Sequence, residues 1–244
     1  MTTTSSLDRS TAALDSLCQS LASDRRRAIL RLVPDPSSDG IEKADLATRL
    51  VAVTNDKPPG AVTDDERRRS EIELAHHDLP ALQDGGLIAT REDGAVVATD
   101  HPAVDENGID DALAERSDAD CDAVFEALAD ARRRTVLSVL ENERGSLSAR
   151  SLARSVAARE IGASERSVPS DRVDRVLASL VHVHLPTLAD AGLVAYDDSA
   201  GRVGYEGHPL LRTGLIDLGR DTETTDEEAI DAVTEFAVLA PTGD

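Results

Sequence analysis

The chain is nearly devoid of aromatic side chains, sulfur and lysine. Its 244 residues include no tryptophan, two phenylalanines, two tyrosines, one methionine and two cysteines. Lys43 and Lys57 are the only lysines; every other basic residue is arginine. Cys18 and Cys121 stand far apart and form no ligand-spaced pair, which argues against a structural zinc or a disulfide framework. Reduced thiols suit a cytoplasm. No stretch approaches the ~18 apolar residues of a membrane span. The opening MTTTSSLDRS lacks the apolar segment of a secretion signal. These absences predict a cytoplasmic protein with no membrane partner.

Catalytic signatures are missing too. There is no G-x-S-x-G, no phosphate loop and no H-E-x-x-H. Acidic pairs are too frequent in this chain for any one of them to mark a catalytic site. The expectation is a protein that is not an enzyme and carries no cofactor or metal.

What is abundant is negative charge. Forty-seven acidic residues face 26 basic ones, a net charge of −21. The excess is even along the chain: residues 1–116 carry 13 basic and 23 acidic side chains, and 117–244 carry 13 and 24. Acid excess with few aromatics is also a mark of disorder. Here, however, 40% of the residues are apolar and recur with helical period, so folded domains are expected. Such a surface suits a cytoplasm of very high salt, where carboxylates stay hydrated and screening removes their mutual repulsion.

The chain is written twice. Shifted by 106 residues, AHHDLPALQDGGLI (75–88) falls on VHVHLPTLADAGLV (181–194). Leu74, His76, Leu79, Pro80, Leu82, Asp84, Gly86 and Leu87 meet Leu180, His182, Leu185, Pro186, Leu188, Asp190, Gly192 and Leu193. Upstream, LASDRRRAIL (21–30) meets LADARRRTVL (128–137) at a shift of 107, and downstream His101-Pro102 meets His208-Pro209. A repeat this long means two domains rather than a solenoid.

Each unit reads as helices followed by a hairpin. In the second, Asp130 caps a helix from Ala131, with Val136, Leu137 and Leu140 inward. Ser148 caps the next, with Leu152 and Val156 inward. Residues 170–184 form a longer helix, burying Val173, Val176, Leu177 and Leu180. LVAYD and RVGYE then pair across the turn DSAG (198–201), and REDGAV (91–96) is the turn of the first unit. The predicted fold is mainly α with small β-hairpin wings: two tandem winged helix-turn-helix domains. They are expected over 7–104 and 121–213, joined by an acidic linker (105–120) in which IDDALAERS is a candidate short helix.

ALADARRRTVLSVL and LVHVHLPTLADAGLV resemble the ArsR-type repressor pattern, an arginine-rich second helix and a recognition helix ending in a leucine-rich turn. More closely, the chain is similar to a haloarchaeal winged-helix domain family whose hallmark is HVHLPxLxxAG. The resemblance covers both units. It implies the winged-helix fold and a DNA-binding transcriptional regulator of a halophilic archaeon, with double-stranded DNA as partner. The alternative is a protein-interaction or dimerisation module on the same scaffold.

Pro80 and Pro186 are read as structural. A proline within a helix removes a hydrogen bond and clashes with the carbonyl four residues back, costing about 3 kcal/mol, but is tolerated at a helix start. Each is predicted to divide two helices or kink one, and Gly86 and Gly192 to end the second piece as left-handed caps.

The triple arginines 25–27 and 132–134 are predicted to lie on a solvated face with intramolecular carboxylate partners; a phosphate contact is the competing role. His182 and His184 face opposite sides of a regular helix, so they do not share a metal, and one is expected to pack under the wing or cap a carbonyl. The stripe expected to meet DNA is Arg172, Arg175, Ser179 and His182, with Arg202 from the wing; all can donate hydrogen bonds. The first unit has Glu66, Arg69, Glu73 and His76 there, and Ser70 and Glu71 where the second has Val176 and Leu177, so its recognition helix reads as eroded. The tail 214–244 is acidic, and Ala229, Ile230, Val233, Phe236 and Ala237 recur at helical spacing. That helix is expected either to dock on its own domain or to mediate a homodimer or protein partner.

Overall fold

A computed structural model describes residues 4–101 and 118–212. The stretch IDDALAERS and the tail stripe through Phe236 lie outside the described residues.

The first unit runs α1 (Thr4–Leu21), α2 (Asp24–Leu32), α3 (Lys43–Thr54), α4 (Asp64–Glu73), α5 (Leu79–Asp84), β1 (Ile88–Thr90) and β2 (Val96–Ala98). The second runs α6 (Asp118–Leu128), α7 (Ala131–Glu141), β3 (Leu147–Ser148), α8 (Ala149–Glu160), α9 (Ser170–Ser179), α10 (Leu185–Asp190), β4 (Val194–Asp197) and β5 (Arg202–Tyr205). Both are winged helix-turn-helix units.

Local chemistry sets the helix starts. Ser23 accepts from Arg26 N–H, Asp130 from Arg133 N–H and Ser148 from Ser151 N–H, each satisfying a donor that a helix N-terminus leaves free. Thr63 and Glu66 close a reciprocal capping box on α4. The hairpins pair antiparallel, Ile88 with Ala98 in one wing and Val194 with Tyr205 in the other. A third strand went unpredicted: β3 pairs with β5, Leu147 opposite Val203, and Ile41 bridges Val96 at the equivalent place.

The proline motif is neither a break nor a restart. Leu74–Asp78 and Leu180–His184 are π turns inside a continuous right-handed helical path. Leu79 N–H bonds Leu74 O, and Leu185 N–H bonds Leu180 O, five residues back rather than four. This slip of register accommodates a residue without an N–H whose ring would otherwise meet the carbonyl four back. Gly86 (φ +71°) and Gly192 (φ +67°) then stop the helix as predicted. Gly192 N–H bonds Ala189 O and Leu193 N–H bonds Leu188 O, with the same pair of bonds at Gly86 and Leu87. This is the Schellman arrangement, which needs a left-handed residue after the helix.

The two units share one hydrophobic core. Leu74, Leu82, Leu180 and Leu188 are all fully buried, as the repeat register requires. Across the junction α1 packs on α6, with Leu17, Cys18 and Leu21 on one side and Cys121, Val124, Phe125 and Leu128 on the other. Both cysteines are buried and neither is in a disulfide; burial pushes the Cys18 thiol up to about 12.

Ion pairs cross this junction in both directions. Arg27 is wholly buried; its guanidinium donates to Leu21 O at 2.8 Å and pairs with Asp122 of the other unit. Arg134 donates to Leu128 O at 2.7 Å and pairs with Asp15 at 2.6 Å. Asp15 and Asp122 are themselves equivalents at the repeat shift of 107. Residue i meeting j while j's counterpart meets i's is the signature of a two-fold interface. The tandem chain is an internal pseudo-dimer.

Candidate nucleic-acid interface

Each of the three consecutive arginines has its own task. The second, Arg26 or Arg133, turns back onto the preceding helix: Arg26 donates to Ser20 O and Gln19 O, Arg133 to Ala127 O and Glu126 O. A cation at those carbonyls complements the negative end of the helix dipole. The third, Arg27 or Arg134, spans the pseudo-dimer junction. The first reaches the recognition helix. The expected carboxylate partners are present for the first and third arginines, but the face is not solvated throughout: Arg27 and Arg134 are buried, the other four half-exposed. Adjacent residues on a helix diverge by about 100°, so three in a row reach three different neighbours.

The first arginine is where the units part. Arg25 Nε donates to Asp78 at 2.8 Å, and its guanidinium also reaches Ser70 at 3.1 Å and Glu73 at 3.2 Å. Arg132 instead pairs with Glu160, from α8, and donates to Ser179 Oγ at 3.2 Å. Glu160 also holds Arg172 at 3.3 Å. The place of Asp78 is taken by His184, buried, its Nδ1 3.7 Å from Asp130 and without a hydrogen bond. Burial lowers its pKa, partly opposed by Asp130.

The predicted DNA stripe therefore divides. Arg175 and His182 are exposed on the outer face of α9 and its π turn. Arg172 and Ser179 turn sideways to Glu160 and Arg132, with Arg172 Nε buried and unpaired. Arg202 sits at the start of β5, exposed, and is fixed by Ser146 through Nε (2.9 Å) and the terminal nitrogen (2.7 Å). The outer face is also not free of carboxylates. Asp171 and Asp174 share it, the latter paired with Arg150 at 2.9 Å. His182 is exposed while His184 is buried, as opposite faces require. Among the described residues no group of three or more His, Cys, Asp or Glu side chains could hold a metal ion. His208 Nδ1 accepts from Leu210 N–H at 3.2 Å and helps close the second hairpin.

In the first unit the two carboxylates taken as erosion are engaged. Glu66 closes the capping box and pairs with Lys57 at 2.6 Å, which hold its carboxyl down at about 2; Glu73 pairs with Arg25. Arg68 and Arg69 stay exposed beside Asp64, Asp65 and Ile72. A sharper contrast lies in the wider surface. From the turn before β3 to the end of the wing, residues 143–206 carry eight basic and nine acidic side chains; the equivalent 37–100 carry seven and fourteen. In a chain so acidic, this part of the second unit is close to neutral.

Two fused helix-turn-helix units, each with a wing, make this a tandem winged-helix protein. The stretches 18–98 and 125–204 both match the model of a family described as a domain of unknown function (DUF7344), and the chain belongs to that family. The matched stretches start 107 residues apart, the shift of the internal repeat. No curated protein and no solved structure matches the chain. No helix of the described residues is long and apolar enough to cross a membrane.

Proposed function

We propose that the protein is a DNA-binding transcriptional regulator of a halophilic, archaeal cytoplasm, and that its second unit makes the main contact with double-stranded DNA. The observation that carries this reading is the near-neutral surface of residues 143–206 on a helix-turn-helix scaffold. Phosphate contacts normally supply most of the affinity for DNA, and the fourteen acids of 37–100 oppose them far more than the nine of 143–206. Arg175 and His182 on the recognition helix reach toward bases or phosphates, and Arg172 lies beside them. Arg202 places a fixed cation at the wing. The junction between units makes a separate dimer partner unnecessary for presenting two reading heads.

The test is a gel-shift measurement of the full chain with genomic fragments across a series of potassium chloride concentrations. Retarded fragments with sequence preference support the reading. If no fragment is retarded at any salt, the interaction-module reading replaces it.

A further inference from the structure

The strongest unassigned feature is a small polar cleft between α8 and α9. It is lined by Arg132, Glu160, Arg172, Arg175 and Val176 and holds about 270 Å³. Three guanidinium groups there face one carboxylate. Glu160 bridges Arg132 and Arg172, which leaves the cluster positively charged within a chain of net charge −21. Arg172 Nε is buried without a partner, an expensive state for a donor on a cation. Arg175 is exposed and has no ion pair among the described residues. Both observations point to a missing acceptor.

The size and lining of the cleft narrow what that acceptor is. Pockets for drug-sized ligands usually run from about 300 to 1,000 Å³ and are mostly apolar. This one is smaller, and Val176 is its sole apolar side chain. Guanidinium forks match the oxygens of a phosphoryl group, to which they bond in pairs. We infer that the cleft of Arg132, Arg172 and Arg175 is a binding site for a single phosphoryl oxyanion. The first unit has no counterpart. Thr54 stands at the place of Glu160 and Glu66 at that of Arg172, and Arg25 is saturated by Asp78, Glu73 and Ser70. This inference goes beyond the DNA reading and holds without it, since a free phosphate and a backbone phosphate present the same chemistry.

The experiment is a phosphorus-NMR titration of inorganic phosphate with the full chain in potassium chloride at fixed concentration. The parent is expected to bind phosphate saturably, and acetate at equal concentration not to replace it. Arg175→Gln, at an exposed position that leaves the core untouched, weakens binding at least about tenfold, as does Arg172→Gln. Arg69→Gln, the first-unit counterpart of Arg175, leaves it unchanged. A second arm adds duplex DNA. Release of bound phosphate identifies the DNA backbone as the source; phosphate that stays bound identifies a free oxyanion. Failure of the duplex to bind at all, with phosphate binding intact, removes the DNA reading and leaves the site standing. The site is overturned if the parent shows no saturable phosphate binding, or if Arg172→Gln and Arg175→Gln bind phosphate as the parent does.

Discussion

Leu74 and Leu180, Leu82 and Leu188, Pro80 and Pro186, Gly86 and Gly192 occupy matching places in the two units, with matching burial of the leucines and matching backbone at the glycines. Around the recognition helix the same alignment meets different chemistry. Glu66 stands for Arg172, Thr54 for Glu160 and Asp78 for His184, and the first arginine of each triplet follows its new neighbours. The difference separates two constraints. Buried apolar positions and the reciprocal junction are fixed by packing that both units must satisfy at once. The polar shell around the fourth helix is under no such requirement, and there one unit gathered acid while the other gathered arginine.

The largest effects should fall on what the units share. Leu74→Ala and Leu180→Ala should each cost on the order of 2–5 kcal/mol in chemical denaturation. Equal losses would show equal roles in one core; a loss at one site alone would break the equivalence. Next comes the junction. Asp15→Ala and Asp122→Ala each strand a buried arginine, but both carboxylates are about 40% exposed (39% and 38%). The loss is therefore expected near 1–3 kcal/mol, below that for a fully buried pair, and similar for the two variants. Unequal losses would contradict the pseudo-two-fold.

A smaller difference marks the end of the third helix. Asp56 (φ +48°) holds a left-handed position that Gly162 (φ +61°) holds in the second unit. Open space surrounds Gly162, so only backbone strain opposes a side chain there. Gly162→Ala should cost about 1 kcal/mol, and Asp56→Gly should recover part of a similar strain. The last contrast is in pH. Burial lowers the pKa of His184 in the folded protein, so the unfolded chain binds the proton more readily. Its stabilising contribution is complete above the unfolded value near 6.5 and declines as pH falls from there toward the folded value. His184→Asn should flatten this part of the stability–pH curve.

The shared features were the legible ones. The repeat, the caps Asp130 and Ser148, the inward leucines and the left-handed glycines all follow from local spacing and residue type. The π turns did not, because proline announces a defect in the hydrogen-bond ladder but not its form; a break and a slip of register to five residues both accommodate the missing N–H. The two-residue strand β3 is too short to show alternation. The carboxylate partners expected of the arginine triplets are there, but Arg27 and Arg134 are buried rather than solvated, because theirs lie about 95 and 119 residues away across the junction, which no periodicity shows. The same holds for Arg172 and Ser179. A helical wheel placed them outward, but Glu160 and Arg132 come from other helices and draw them aside.

The claim that one reading head does most of the work is the one most open to direct test. Binding of a retarded fragment should be measured in high potassium chloride for the parent, Arg175→Ala and Arg69→Ala. The account predicts a loss of about 1–3 kcal/mol for Arg175→Ala, the range for a base-reading arginine, and far less for Arg69→Ala. Equal losses for the two variants, or a larger one for Arg69→Ala, would contradict it.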